Sequence, residues 1–163
     1  MTMINYIENK YVQFLTSEQL EYLETIFEKF SGYPSIEELW GLMDEAWDQF
    51  KCDPMEIDGR ISDFYNHPVW VLNGLFIEQD KSSLNHRKLF SEWVTSENPI
   101  RIADFGGGFG SLARLLGRAL PNSVIEIVEP HPQAIALALV ENTQNVRFVP
   151  ELSGEYDLII ATD

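Results

Sequence analysis

Four glycines crowd behind an aspartate in the stretch IADFGGGFGSLARLL, Ile102–Leu116, and a helical pattern of apolar residues follows them at once. Ile100 and Ile102 predict a β-strand closed by Asp104, Gly106–Gly110 predict a turn, and a helix is expected from about Ser111. Glycine reaches positive φ at little cost and carries no Cβ, so ligand atoms can approach the main chain there. The first turn of the following helix adds N–H groups that have no intrahelical partner. A strand, a glycine turn and a helix in that order belong in a parallel α/β sheet, whose ligands bind at the carboxyl ends of the strands.

The flanking sequence supports this class. Short β-type runs at 100–104, 124–129, 146–149 and 156–162 alternate with helical segments near 111–120 and 132–142, which predicts a doubly wound parallel sheet. Upstream the texture is helical. Leu20, Leu23, Ile26, Phe27 and Phe30 recur at helical spacing and SGYP at 31–34 stops them. Ser35 and Glu38 form an S-x-x-E capping box ahead of Ile36, Leu39, Trp40, Met43, Trp47 and Phe50. Asp58-Gly59 reads as a turn, Pro68 suits the first turn of a helix through VWVLNGLFIEQ, and Leu84, Leu89, Phe90, Trp93 and Val94 mark another. Residues 1–97 therefore read as a helical N-terminal layer, residues 98–163 as the sheet region, and Asn98-Pro99 as the boundary.

Composition narrows the function. Twenty-six acidic against eleven basic residues give a formal charge of -15, and residues 1–97 alone hold 18 acids and 7 bases. That balance speaks against a nucleic-acid-binding surface, which needs clustered Lys and Arg. Cys52 is the single cysteine, so neither a disulfide nor a metal site is expected, and no apolar run approaches a membrane span. With no secretory signal in MTMINYIENK, a cytoplasmic protein without membrane contact is the expectation.

Two ligand classes compete for the glycine turn. GFGSLA at 108–113 satisfies the G-x-G-x-x-G/A pattern of dinucleotide binders, but that register puts Asp104 and Gly106 where the first strand keeps apolar residues. The register D-x-G-x-G-x-G instead supplies an acid at the strand tip, which suits S-adenosylmethionine, a ligand with an ammonium and a sulfonium and no phosphate. The second strand, SVIEIVEP, ends in Glu129, 25 residues after Asp104, where a carboxylate can accept from both hydroxyls of a ribose. Glu126 points to the opposite face by strand alternation and reads as structural.

IADFGGGFG, IEIVEP and YDLIIATD together resemble motif I, the ribose acid and the fourth strand of class I S-adenosylmethionine-dependent methyltransferases, over about residues 98–163. The resemblance implies a Rossmann-like domain, incomplete after its first four strands, in which Asp104, Gly106, Gly107, Gly108 and Gly110 surround the methionine part of the cofactor. It also implies that Glu129 holds the ribose and that Pro130 borders the adenine. The third strand, VRFVPELSGEYD, departs from the family's usual acid after a longer loop, and Glu151 is the substitute candidate. The expected activity is methyl transfer to a small molecule. The alternatives are an NAD(P)-dependent oxidoreductase and a non-catalytic interaction module on a degenerate nucleotide-binding fold. No catalytic base is nominated, because alignment of donor and acceptor carries methyl transfer.

The helical layer is expected to act as a substrate-selecting cap through Phe64, Tyr65, Trp70 and Phe76, with a homodimer surface as the competing use of such aromatics. His67, His86 and His131 read as surface or packing residues. The chain is further expected to be a fragment of a longer protein, inactive by itself, with Asp163 beside the cofactor.

Overall fold

The computed structural model describes residues 7–56 and 58–162, so the expectation for Asp163 lies outside the described residues. Contacts divide the chain into two compact units, Met1–Phe76 and Ile77–Asp163.

The first unit is helical: α1 (Asn9–Val12), α2 (Ser17–Phe30), α3 (Ile36–Gln49), α4 (Gly59–Asn66) and most of α5 (Val69–Gln79). Leu23, Ile26 and Phe27 of α2, Leu39, Leu42 and Ala46 of α3, and Val71, Leu72 and Leu75 of α5 are buried. Both α2 and α3 begin with reciprocal capping boxes. In the second, the Ser35 hydroxyl accepts from Glu38 N–H at 3.2 Å while Ser35 N–H donates to the Glu38 carboxylate at 2.7 Å. Asp58-Gly59 opens helix α4 rather than a simple turn, because the Asp58 carboxylate accepts from Arg60 N–H at 2.9 Å and caps it. Of the aromatics expected to select a substrate, Phe64 is buried among Trp47, Tyr65 and Trp70, with ring centroids 5.1–5.3 Å away. Its surface is consumed by packing. His67 caps its own turn, its Nδ1 accepting from Val69 N–H at 3.2 Å with the Tyr22 ring 5.1 Å away, and burial holds its pKa below the ordinary value.

The second unit is an α/β fold: a four-stranded parallel sheet with flanking helices. It comprises α6 (Lys81–Glu97), β1 (Arg101–Phe105), α7 (Ser111–Ala119), β2 (Val124–Val128), α8 (Ala134–Val140), β3 (Val146–Val149) and β4 (Leu158–Ala161), in strand order β3-β2-β1-β4. Ile102, Ile125, Ile127, Val146 and Ile160 point to one face and meet Val94 of α6, Leu112 and Leu116 of α7 and Val140 of α8. Removing that apolar surface from water contributes roughly 1.5–3 kcal/mol per large side chain. Helix α6 keeps Ser91 and Val94 buried, but Leu89 and Trp93 face solvent at 65% and 51% exposure, so the apolar line drawn through them is not the packed one.

Strand alternation sends Glu126 to the other face, where it is 1% exposed and is the centre of a network. It accepts from Arg101 Nη2 at 2.7 Å, Arg147 Nε at 3.0 Å and the Tyr156 hydroxyl at 2.8 Å. Burial pushes this carboxyl up, but Tyr156, Arg147 and Arg101 outweigh it and hold the group below the ordinary glutamate range. At the amino ends of β1 and β4, the Asp157 carboxylate accepts from the N–H groups of Ile100 and Arg101 at 2.9 and 2.8 Å. Among the described residues no helix is long and apolar enough to cross a membrane.

Candidate functional site

Strand order reverses across β1 and β4, and the glycine turn leaves the carboxyl end of β1 at that switch point. Gly106 N–H donates to the Val128 carbonyl at 3.0 Å, which fixes the start of the turn against the end of β2 and so beside Glu129. Gly110 N–H donates to the Gly107 carbonyl at 2.7 Å and closes it.

The glycines divide by role. Gly107 and Gly110 exist because of what lies behind them. A Cβ on Gly107 would stand 2.5 Å from Asp104 Oδ2, and one on Gly110 would stand 2.5 Å from Ile127 Cδ1. Gly106 and Gly108 adopt φ of +70° and +50°, and a Cβ on either would meet nothing within 4 Å. These two therefore present bare main chain to open space, as a site for close ligand approach requires.

Asp104 sits beneath this turn. Its place on β1, paired in register with Ile127 and Ile160, buries it to 2% exposure. The Ala113 N–H, in the first turn of α7, donates to its carboxyl. Asp104 thereby supplies the side-chain cap that α7 lacks, because its N-cap residue is Gly110. Oδ2 has no hydrogen-bond partner although it is buried. Burial pushes the carboxyl up to about 6, with the Ala113 N–H opposing. A buried acceptor without a donor costs free energy unless a ligand satisfies it.

Glu129 follows β2, half-buried; its N–H donates to the Val149 carbonyl at 3.0 Å, and its Oε1 accepts from His131 N–H at 3.1 Å. The carboxylate is thus held in a local turn next to the glycines. Pro130 is exposed directly after it. Glu151 is exposed beyond β3, which is separated from β1 by β2. Asp104, the glycine turn, Glu129 and Pro130 accordingly share one end of the sheet.

Sequence reasoning missed a polar cluster at the same end. The Glu78 carboxylate accepts from the Ser111 hydroxyl and from Arg114 Nη2, tying the end of α5 to the first turn of α7. Thirty-six residues separate Glu78 from Arg114, and no local spacing announces the pair. A cavity of about 370 Å³ lined by Trp93, Glu97, Asn98, Pro99, Ile100, Asp157 and Leu158 lies at the amino ends of β1 and β4, away from every candidate residue.

No protein-family model matches the sequence, and no curated protein matches it. Among solved structures, the chain is similar to human N-acetylserotonin methyltransferase in complex with SAM, at 17% identity and a TM-score of 0.46, over 94% of this chain and 47% of that one. The chain spans about half the length of that methyltransferase.

Proposed function

We propose that the chain binds S-adenosylmethionine at the glycine turn and serves methyl transfer to a small-molecule acceptor. The observation that carries this reading is the buried, half-satisfied carboxylate of Asp104 beneath a turn whose open positions are bare main chain. Such a seat is anionic at neutral pH and favours a ligand bearing an ammonium and a sulfonium. A pyrophosphate there would face the same carboxylate, and like charges about 4 Å apart repel by roughly 4 kcal/mol at an effective dielectric constant near 20.

In this reading Asp104, Gly106, Gly107, Gly108 and Gly110 hold the methionine part, Glu129 accepts from the ribose hydroxyls, and Pro130 borders the adenine. When bound, the cofactor supplies a methyl group activated on a sulfonium. The protein aligns it with an acceptor that is already nucleophilic, so no base is assigned. The charge of -15 favours a small acceptor over a nucleic acid.

Calorimetric titration with S-adenosylhomocysteine and, separately, with NAD tests the reading. Binding of the first and not the second is expected, and Glu129→Ala should weaken it by about 2–4 kcal/mol. Preference for NAD, or indifference to both, would sink it.

A further inference from the structure

We propose that Glu78 is a positioning residue of the glycine-turn site, holding the first turn of α7 in the orientation that receives the ligand. The identity of that ligand rests on the cofactor reading above; the positioning of the turn does not. Glu78 is the penultimate residue of α5, two residues before the Asp80 cap of α6, whose carboxylate accepts from Ser83 N–H at 2.6 Å. Arg87 reaches back from α6 and donates to the Ile77 carbonyl at 2.8 Å and to the Ser83 hydroxyl at 2.7 Å. The backbone that carries Glu78 is therefore fixed from both sides before its side chain makes any contact.

From that corner the carboxylate takes Ser111, the first residue of α7, and Arg114, one turn later on the same helix face. Its side chain is 9% exposed and that of Arg114 12%, so the pair is shielded from the solvent that weakens surface ion pairs. Two carboxylates thus grip this turn. Asp104 takes the Ala113 N–H from the sheet side, and Glu78 takes the side chains of Ser111 and Arg114 from the helix corner. Gly110, at φ +69°, has no side chain with which to fix the turn itself. Support of this sort around a binding element is what holds its donors within a few tenths of an ångström of the productive geometry.

The test uses the whole chain, with Glu78→Ala, Glu78→Gln and Ser111→Ala, at a temperature where circular dichroism shows each variant folded. Two readouts are taken: amide exchange at Ala113 and Arg114 without ligand, and affinity for S-adenosylhomocysteine. Glu78→Ala should speed exchange at these two amides about tenfold while strand amides keep their protection, and should weaken binding about tenfold or more. Glu78→Gln removes the same counter-charge from Arg114 but keeps an acceptor oxygen for both partners, so its loss in each readout should be clearly smaller than that of Glu78→Ala, about threefold. Should Glu78→Ala fail to fold because Arg114 loses its counter-charge, Ser111→Ala decides, with a loss of about threefold expected. Unchanged exchange in the folded variants, or Gln behaving no better than Ala, overturns the positioning role. Altered exchange in a chain that never binds S-adenosylhomocysteine leaves the positioning role standing and removes the cofactor reading instead.

Discussion

Asp104 carries two obligations that conflict. One oxygen caps α7, while the other is buried against the position where Gly107 lacks a Cβ and has no donor. The folded-state pKa of about 6 lies above the ordinary value of 3.8, so the native state holds this proton more tightly than the unfolded chain. The stabilisation from the protonated group is complete below about pH 4 and is lost as pH rises through 6. Asp104→Asn cannot titrate. Urea unfolding at pH 4.5 and 7.5 should therefore show the parent chain losing stability relative to Asp104→Asn as pH rises, by about 2 kcal/mol. A constant difference between the two proteins across that range would show that the carboxyl is not desolvated as described. The same substitution removes the negative seat proposed for the ligand, so a gain at neutral pH and a loss of binding should arrive together.

At the scale of elements, the sheet is keyed by Glu126. Glu126→Ala takes the shared acceptor from Arg101, Arg147 and the Tyr156 hydroxyl, but the two arginines, 30% and 64% exposed, can be hydrated, so the expected cost is about 1–3 kcal/mol, measured by denaturant midpoint. An effect below about 1 kcal/mol would mean that the ion pairs are spent against desolvation and contribute nothing net. Much of this architecture was legible. The strands near 101, 124, 146 and 158 announce themselves by β-type runs, and the capping box at Ser35 by its spacing, because both depend on neighbours in sequence. The places of Asp104 and Glu129 at the carboxyl ends of β1 and β2 were readable for the same reason, although β1 runs one residue past Asp104, to Phe105. Helix α4 was not, since Asp58-Gly59 serves equally as a turn and as an N-cap, and only the helix beyond it decides. Leu89 and Trp93 match a helical stripe yet lie outside the packed line, because which stripe is covered depends on where α7 sits. The Glu78–Ser111–Arg114 cluster depends wholly on the assembled fold.

Over the whole molecule, charge sets the terms. A net -15 on 163 residues is self-repulsive in the compact state, and among the described residues ion pairs recruit only Glu8, Glu56, Asp58, Glu78 and Glu126 of the 26 acids. Raising sodium chloride from about 20 to about 300 mM should accordingly raise the thermal midpoint by a few degrees, since screening relieves the repulsion faster than it weakens the shielded pairs. A fall in the midpoint would place the balance with the ion pairs instead. The buried network also bears on how the chain reaches its native state. Glu126 finds Arg147 21 residues on, Arg101 25 residues back and Tyr156 30 residues on, so no single hairpin or βαβ unit satisfies it. An intermediate that pairs β1 with β2 alone would give the carboxylate Arg101 but leave it without Arg147 and the Tyr156 hydroxyl, and its acceptors are filled only when β3 and the approach to β4 arrive as well. The carboxylate thus acts as a proofreader of assembly, penalising partly built sheets and steering this unit toward all-or-none folding.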